Sequence, residues 1–400
     1  MRVLILHNRY TQPGGEDIVV ASEAALLRAH GVEVRELIVS NDDVLRRGRW
    51  ATVWALAHAA RNPEGMARVR AECRDFRPDV AHVHNFWFAL SAGAHEACRA
   101  EGVATVQTLH NFRLLCANAL LMRDSAPCSE CVEKGPGQGV RRRCYHGSWA
   151  QSWLWSRMVR KCRRWGVWQH DVDAFIALTE SSRALYVAGG LPADRIAIKP
   201  NFVEDPGPAG RPGRGAVMVG RLSPEKGPQT LVRAWRELPD VPLTVVGDGP
   251  LRGALESEAA AQGMTQVRFA GHQDARQCME HIRSAAFLVF PSQCYETFGR
   301  AIVEAYAAGR PVLASRMGAM AELVQDGRTG LLFEPGNTAE LAAQARRLAS
   351  QPEVCREMGL AARAEYEKRY GPEENFRLLR SIYETAMRRF RGAAGAAKVK

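Results

Sequence analysis

Short apolar runs recur along the chain. Each is closed by polar or glycine-rich residues, and most are followed by a stretch with helical spacing. Residues 3–6 are four consecutive apolar side chains, and Thr11-Gln12-Pro13-Gly14-Gly15 breaks the run. Residues 16–30 then carry Val19, Ala24, Leu27 and Ala29 among polar positions, which predicts a helix, and Gly31 ends it. Further buried strands are predicted over 32–39, 79–83, 104–109, 174–178 and 195–198. Strand and helix alternating in this way predicts a parallel sheet with both faces covered.

Residues 205–215 read D-P-G-P-A-G-R-P-G-R-G, with four Gly and three Pro in eleven positions. Such a stretch suits neither helix nor central strand, and a linker is predicted there. The alternation restarts beyond it, with strands predicted over 216–219, 243–246, 267–270, 287–290, 311–314 and 331–333. The expected domains are therefore 1–204 and 205–371. A last helix is predicted over 372–390, with a frayed, basic end over 391–400. Two α/β halves suggest a cleft between them, since ligands of open parallel sheets bind beyond the carboxyl ends of the strands. Residues 112–149 do not fit the alternation and read as an insertion.

At 400 residues the chain suits two domains. Apolar residues make up 46% and charged residues 24%, which excludes a disordered chain, a fibre or a disulfide knot. The net charge of +11 favours anionic partners. Arg2 precedes only four apolar residues, too few for a secretory signal. No apolar run is long enough to span a membrane. Ten Cys in such a chain read as reduced thiols or metal ligands, and the cytoplasm is the expected compartment.

The strongest candidate chemistry lies in 291–304, P-S-Q-C-Y-E-T-F-G-R-A-I-V-E, which follows a strand ending at Phe290. A loop carries Glu296, and Gly299 opens a helix that bears Glu304. Unpaired N–H groups of Phe298, Gly299 and Arg300 at that helix start would attract a phosphate. Carboxylates beside a phosphate site are suited to hydroxyls, which donate to them. Hydroxyls on both sides of a diphosphate describe a nucleotide sugar. On spacing alone, a solvated loop and an ordinary amphipathic helix fit as well. G-R-L-S-P-E-K-G over 220–227 also follows a strand and places Arg221 and Lys226 at its carboxyl end, where both could hold phosphate oxygens; a turn with two exposed cations is the alternative. V-G-D-G-P over 246–250 approaches a dinucleotide fingerprint, but Arg252 stands where the third glycine belongs, so a plain turn is the better reading.

These segments, with A-Y-A-A-G-R-P-V-L-A-S over 305–315, resemble the retaining GT-B glycosyltransferases of glycosyltransferase family 4. The hallmark of that family, two Glu separated by seven residues, is matched by Glu296 and Glu304. Gly14-Gly15, Thr108-Leu109-His110 and Lys199-Pro200-Asn201 fit the same pattern. The likeness is strong in the second half and diffuse in the first. It implies two Rossmann-like domains facing a central cleft, with the final helix packed back onto the first. It implies a nucleoside diphosphate sugar as donor, with Glu304 on the ribose, Glu296 on the sugar, and Arg221 and Lys226 on the diphosphate. Gly15, Thr297, Phe298 and Gly299 would complete the donor site, and His110 would orient the sugar near its anomeric carbon. The leaving phosphate would take the acceptor's proton, so no protein nucleophile is named. The acceptor would be a saccharide or a lipid-linked precursor. A nucleotide-sugar epimerase or a phosphorylase on the same fold is a rival, though the cofactor-lysine motif of the phosphorylase is missing.

Asp171-Val172-Asp173 resembles a metal-binding D-x-D, but it precedes a strand where that motif follows one, and no metal is expected at the donor. His82 and His84 alternate with Val80 and Val83, and at least one is expected in the core or at its rim. Cys116, Cys128, Cys131 and Cys144 have the spacing C-x11-C-x2-C-x12-C. One knuckle and two outlying Cys could make a structural zinc site stapling the insertion, with free thiols or disulfides as alternatives. Between Lys134 and His170 lie nine Lys or Arg, no acid, and five of the nine Trp. Leu154, Met158, Cys162 and Trp165 suggest one apolar helix face there. A core helix with a solvated basic face, docking on an anionic membrane, and nucleic-acid binding all fit such a stretch. No nucleic-acid-binding module is recognisable, so nucleic acid is not the expected partner; a zinc-stapled nucleic-acid binder remains the rival outside enzymes.

Overall fold

The computed structural model describes residues 1–10, 14–210 and 213–398. Residues 11–13 of the predicted break, 211–212 of the predicted linker and 399–400 of the basic end lie outside the described residues. The strands are β1 (Arg2–Arg9), β2 (Glu33–Ser40), β3 (Val80–Asn85), β4 (Ala104–Thr108), β5 (Met122–Arg123), β6 (Ala126–Pro127), β7 (Ala174–Ala177), β8 (Ile196–Ile198), β9 (Ala216–Val219), β10 (Leu243–Val246), β11 (Val267–Gly271), β12 (Phe287–Phe290), β13 (Val312–Ser315) and β14 (Gly330–Phe333). The chain divides into two compact units. The first comprises Met1–Ala119, Ser129–Lys199 and the chain from Phe376 onward; the second comprises Leu120–Cys128 and Pro200–Asn375.

In the first unit the order β2-β1-β3-β4-β7-β8 forms one parallel sheet. Helices cover both faces, so Val3, Leu4, Ile5 and Leu6 are all buried on consecutive positions, as a central parallel strand requires. Strand order turns back between β1 and β3. The second unit has the parallel order β11-β10-β9-β12-β13-β14, which counted within the sheet is the doubly wound 3-2-1-4-5-6. Its core gathers Leu231, Trp235, Leu243, Phe287, Phe333 and Leu341. The buried Trp235 indole donates to Val241 O at 2.9 Å, so its one polar atom is satisfied. The order turns back between β9 and β12, and the carboxyl ends of those strands are where a doubly wound sheet binds ligands.

Four expectations change. The segment expected as a linker is a strap on the second unit. Arg363 forks onto Asp205 at 2.7–2.8 Å, Arg283 donates to Pro206 O and Pro208 O, and the buried Arg310 donates to Gly210 O. Arg363 also donates to Gly207 O at 3.3 Å, so three distant guanidiniums satisfy carbonyls that the prolines and glycines leave outside regular structure. The insertion is not a bare loop either. It contains a 3-10 turn Phe112–Leu114, the β5–β6 hairpin and helices Glu130–Lys134 and Gly137–Arg141, and it buries Phe112, Leu114 and Leu115. The basic stretch forms the helix Trp149–Arg164, whose buried face is Trp155, Met158, Val159 and Cys162, while Leu154 and Trp165 are only half-buried. Trp155 decides that face, since its indole donates to Arg113 O at 2.8 Å. The last helix runs Pro372–Lys398, because the alanines after Arg391 are strong helix formers and outweigh two glycines.

Candidate active site

Two loops meet at the switch point of the second sheet. After β9 the chain makes a 3-10 turn, Pro224–Lys226, closed by Gly227 at φ +66°. A Cβ on Gly227 would lie 2.0 Å from Pro291 O, so only glycine lets this turn press against the loop after β12. Gln293 N and Ser292 Oγ both donate to Glu225 O, at 2.8 and 3.0 Å, and stitch the loops together. Lys226 Nζ then meets Glu296 Oε1 at 2.7 Å, and Ser292 Oγ reaches the same oxygen at 2.7 Å. Burial works against the Lys226 ammonium, but Glu296, with Cys294 and Glu225, together outweigh it and the pKa is raised. Arg221 is exposed and has no ion-pair partner among the described residues. An open hollow of about 280 Å³ lies here, lined by Gly220, Lys226, Phe290, Pro291 and Ser292 among others.

The V-G-D-G-P segment is the plain turn expected. A Cβ on Gly247, at φ +139°, would lie 1.9 Å from Gly220 O, so this glycine serves the close packing of two turns. Beyond Glu296, Thr297 is half-buried, Phe298 is buried against Tyr370, and Gly299 precedes the helix Arg300–Ala307. Ile302 and Val303 are the amides that reach back to Gly299 O, so those of Gly299, Arg300 and Ala301 have no carbonyl in the helix to meet. Glu304 sits on this helix with Oε1 3.0 Å from Arg300 Nε. Burial raises its carboxyl pKa, with Arg300 pulling it back.

In the first unit, Gly15 is exposed at the start of the helix Gly15–Ala29, and Asp17 caps that turn by accepting from Gly14 N at 2.8 Å. Glu16 beside it accepts from Asn85 and Asn111 at 3.1 and 3.3 Å. Burial first, and then Asp17, push its pKa up to about 8. His110 follows β4 and borders a hollow of about 310 Å³ that is also lined by His84, Asn85, Trp87, Asn111 and Arg113. Its Nε2 lies 2.9 Å from His84 Nδ1. His82 and His84 are both buried, and His82 is held between Tyr383 OH and Thr108 Oγ1 at 2.8 and 2.7 Å. Lys199 Nζ donates to the buried Glu23 at 2.5 Å. Glu23, His82 and His84 lie close enough to share an ion, but Lys199 already supplies the positive charge there and His82 has both ring nitrogens engaged.

Sequence reasoning named Gly15 and His110 here, expected His82 or His84 in the core or at its rim and placed Lys199 in the family pattern, but missed Glu16 and Glu23. The acid directly after Gly14-Gly15 was the signal for Glu16. Asp173 is structural: its oxygens accept from Thr105 N at 2.9 Å and Arg99 at 3.1 Å. Of the four insertion cysteines, Cys116 and Cys131 are buried and Cys144 is half-buried. A Cβ on Gly139 would lie 3.5 Å from Cys131 Sγ, and Cys144 N donates to Gly139 O at 2.9 Å, so both flank that glycine. Cys128, half-buried, closes the hairpin by donating from its amide to Leu121 O at 2.7 Å. Among the described residues no helix is long and apolar enough to cross a membrane.

Comparison with known proteins agrees with this geometry. Residues 13–205 match the family described as Glycosyltransferase Family 4, and residues 212–365 match Glycosyl transferases group 1. A D-inositol 3-phosphate glycosyltransferase of Arthrobacter sp. is 34% identical over 311 residues, 74% of this chain and 68% of that one. A phosphatidyl-myo-inositol mannosyltransferase of Mycobacterium leprae is 28% identical over 402 residues, 96% of this chain and 97% of that one. The fold is shared with Anabaena HepE solved with UDP-glucose, at TM-score 0.66 and 18% identity, over 96% of this chain and all of that one. Matched along both halves, and more than 30% identical to a relative it largely spans, the chain belongs to the GT-B glycosyltransferases of glycosyltransferase family 4.

Proposed function

We propose that this glycosyltransferase takes its sugar from a nucleoside diphosphate sugar and passes it, with retention, to a hydroxyl of a saccharide or lipid-linked acceptor. The observation that carries this reading is the Lys226–Ser292–Glu296 cluster with Arg221 exposed beside it, at the switch point of a doubly wound sheet. Arg221, Lys226 and the amides of Phe298 and Gly299 take the diphosphate, with Gly15 contributing a further amide. Glu304 accepts from the ribose hydroxyls. Glu296 and Thr297 face the sugar, and His110 orients it. As the bond from C1 to the phosphate oxygen breaks, charge grows on the phosphate, and the two cations hold it more tightly than in the ground state. The acceptor oxygen bonds to C1 on the same face, and its proton passes to the departing phosphate.

UDP is the first nucleotide to test, because HepE was solved with UDP-glucose. A thermal-shift series with UDP-, GDP- and ADP-sugars should raise the melting temperature for one of them. No stabilisation by any, together with no affinity for a free nucleoside diphosphate, would reject the donor reading. The anomeric configuration of the product, read by NMR, tests retention. Added magnesium or manganese should leave the rate unchanged.

Two further expectations belong to this reading. A lipid-linked acceptor is supported by the relative named for phosphatidyl-myo-inositol and by the exposed Trp149 and Trp153 among Arg157, Arg160 and Arg164 on one helix. The enzyme then works at the inner face of the membrane, and it should sediment with anionic vesicles but not with neutral ones. Cys116, Cys128, Cys131 and Cys144 hold a structural zinc, a proposal that rests on their spacing. Elemental analysis should find one zinc per chain, and a folded zinc-free protein would reject it.

A further inference from the structure

Two helices of the first unit turn tryptophans toward solvent. The helix Arg49–Ala57, R-W-A-T-V-W-A-L-A, buries Ala55 and Leu56. Its other face carries Trp50, Val53 and Trp54 at the i, i+3, i+4 spacing of one stripe. All three are exposed, the indoles by 75% and 40%. The helix Trp149–Arg164 buries Trp155, Met158, Val159 and Cys162. Its opposite stripe reads Trp149, Trp153, Arg157, Arg160 and Arg164, and the two indoles are exposed by 57% and 39%. A surface helix ordinarily shows water its polar face. Single exposed hydrophobics need no explanation, but a group of them on two touching helices does.

The helices touch at a defined place. Arg157 Nη1 donates to Ala57 O at 3.1 Å, and Arg61 lies over the Trp165 ring at 4.1 Å. These contacts advance together along both segments, so the helices run in the same direction. Trp54 and Trp153 each stand about one turn before the Ala57–Arg157 contact, and Trp50 and Trp149 about one turn further out.

Charge decides what such a face fits. No Asp or Glu occurs from 44 to 63 or from 134 to 170. Arg49 lies over the Trp50 ring at 5.4 Å and Arg157 over the Trp153 ring at 5.8 Å. Arg49, Arg157, Arg160 and Arg164 have no ion-pair partner among the described residues. Cations beside indoles match an anionic lipid surface, where an indole lodges between headgroups and acyl chains and a guanidinium holds the lipid phosphate. A saccharide would need Asp, Glu, Asn or Gln beside the rings to read its hydroxyls, and the outward stripes hold none.

We propose that Trp50, Val53 and Trp54, together with Trp149 and Trp153, form one docking face for an anionic membrane, with the flanking arginines on the lipid phosphates. This rests on the reading that the enzyme works at a membrane. It gives that contact a second helix, drawn from outside the basic stretch. One helix lying in the interface is free to roll about its own axis. Two side by side define a plane and fix how the first unit faces the lipid.

The test is sedimentation of the full-length protein with phosphatidylcholine vesicles, with and without phosphatidylglycerol. Wild type should bind only the mixture, and added salt should weaken that binding. Trp50→Ser with Trp54→Ser should weaken it by roughly tenfold or more, and so should Trp149→Ser with Trp153→Ser, since each pair removes two indoles from the interface. Arg160→Gln and Arg164→Gln should each weaken it by about fivefold, a second arm that leaves the indoles in place. Leu360→Ser, at an exposed leucine of the second unit, should change nothing. All these side chains are exposed, so the melting temperature and its rise with a nucleoside diphosphate should stay as in wild type. That keeps this test separate from the donor reading. Undiminished binding after the change at Trp50 and Trp54 overturns the two-helix face; if the change at Trp149 and Trp153 still abolishes binding, the membrane reading stands. Wild type that ignores anionic vesicles ends both. Equal loss in Leu360→Ser, or a preference for a single-stranded oligonucleotide over the vesicles, also overturns the proposal.

Discussion

Lys226 Nζ donates to Glu296 Oε1 at 2.7 Å and so ties the loop after β9 to the loop after β12. The bond holds a cation at the turning point of the sheet before any ligand arrives. Replacing Lys226 by Met should cut kcat by about 10²–10³-fold, the usual loss when one stabilising group for a developing anion is removed. Glu296 raises the Lys226 pKa against the opposing effect of burial. A raised lysine is charged and stabilising below its unfolded pKa, and that contribution is lost only as pH rises through the folded value. Activity should therefore show no Lys226-dependent decline from neutral into mildly alkaline pH. Steady-state kinetics on the variant from pH 6 upward would show either result.

Glu304→Ala should weaken donor binding by roughly 10–100-fold, the size of one or two hydrogen bonds to a charged group. Burial raises the Glu304 carboxyl, with Arg300 3.0 Å away pulling it down. The protonated acid is the poorer acceptor, so donor affinity of the wild type should fall as pH drops into that raised range. Glu304→Gln should show no such fall. Calorimetric titration with the nucleoside diphosphate at several pH values separates the two, and unchanged affinity in Glu304→Ala would end the ribose assignment.

The elements legible in the sequence are those that tertiary context reinforces. β9, β10 and β12 are found with the boundaries expected, because a strand buried on both faces is an uninterrupted apolar run. The loops with Lys226 and Glu296 stand out because charge and glycine at a strand's end have few structural uses. What the sequence hides depends on distant partners. The strap at Asp205 looks like a linker until Arg363, Arg283 and Arg310 are seen to fasten it. The face of the helix Trp149–Arg164 is ambiguous because 155, 158, 159 and 162 satisfy helical spacing as well as 154, 158, 162 and 165. Glu23, His84 and His110 come from three separate segments, and no local pattern joins them.

Arg310 is buried and makes hydrogen bonds to Gly210 O and Arg283 O at 3.1 and 2.6 Å. Replacing it by Leu leaves those carbonyls without a donor, though it also removes a charge that burial disfavours. The net loss should be about 1–3 kcal/mol. Urea unfolding should show it as a lower midpoint with the slope unchanged. An equal or higher midpoint would mean that the strap stays fastened without Arg310.

Glu16 provides a pH-dependent test of the first unit. Its carboxyl is raised from 4.5 to about 8, first by burial and then by Asp17, despite the bonds from Asn111 and Asn85. An acid raised on folding contributes fully below its unfolded value, and that contribution drains away as pH rises through the folded value. Wild type and Glu16→Gln should therefore have nearly equal stability at pH 4.5. Between there and pH 8 the unfolded chain ionises before the folded one, and wild type should fall behind the variant by a few kcal/mol, at about 1.4 kcal/mol per pH unit. Above that range the gap should stay constant. Urea midpoints at five or six pH values would trace the curve, and a difference that does not change with pH would show that Glu16 is ionised in the folded protein throughout.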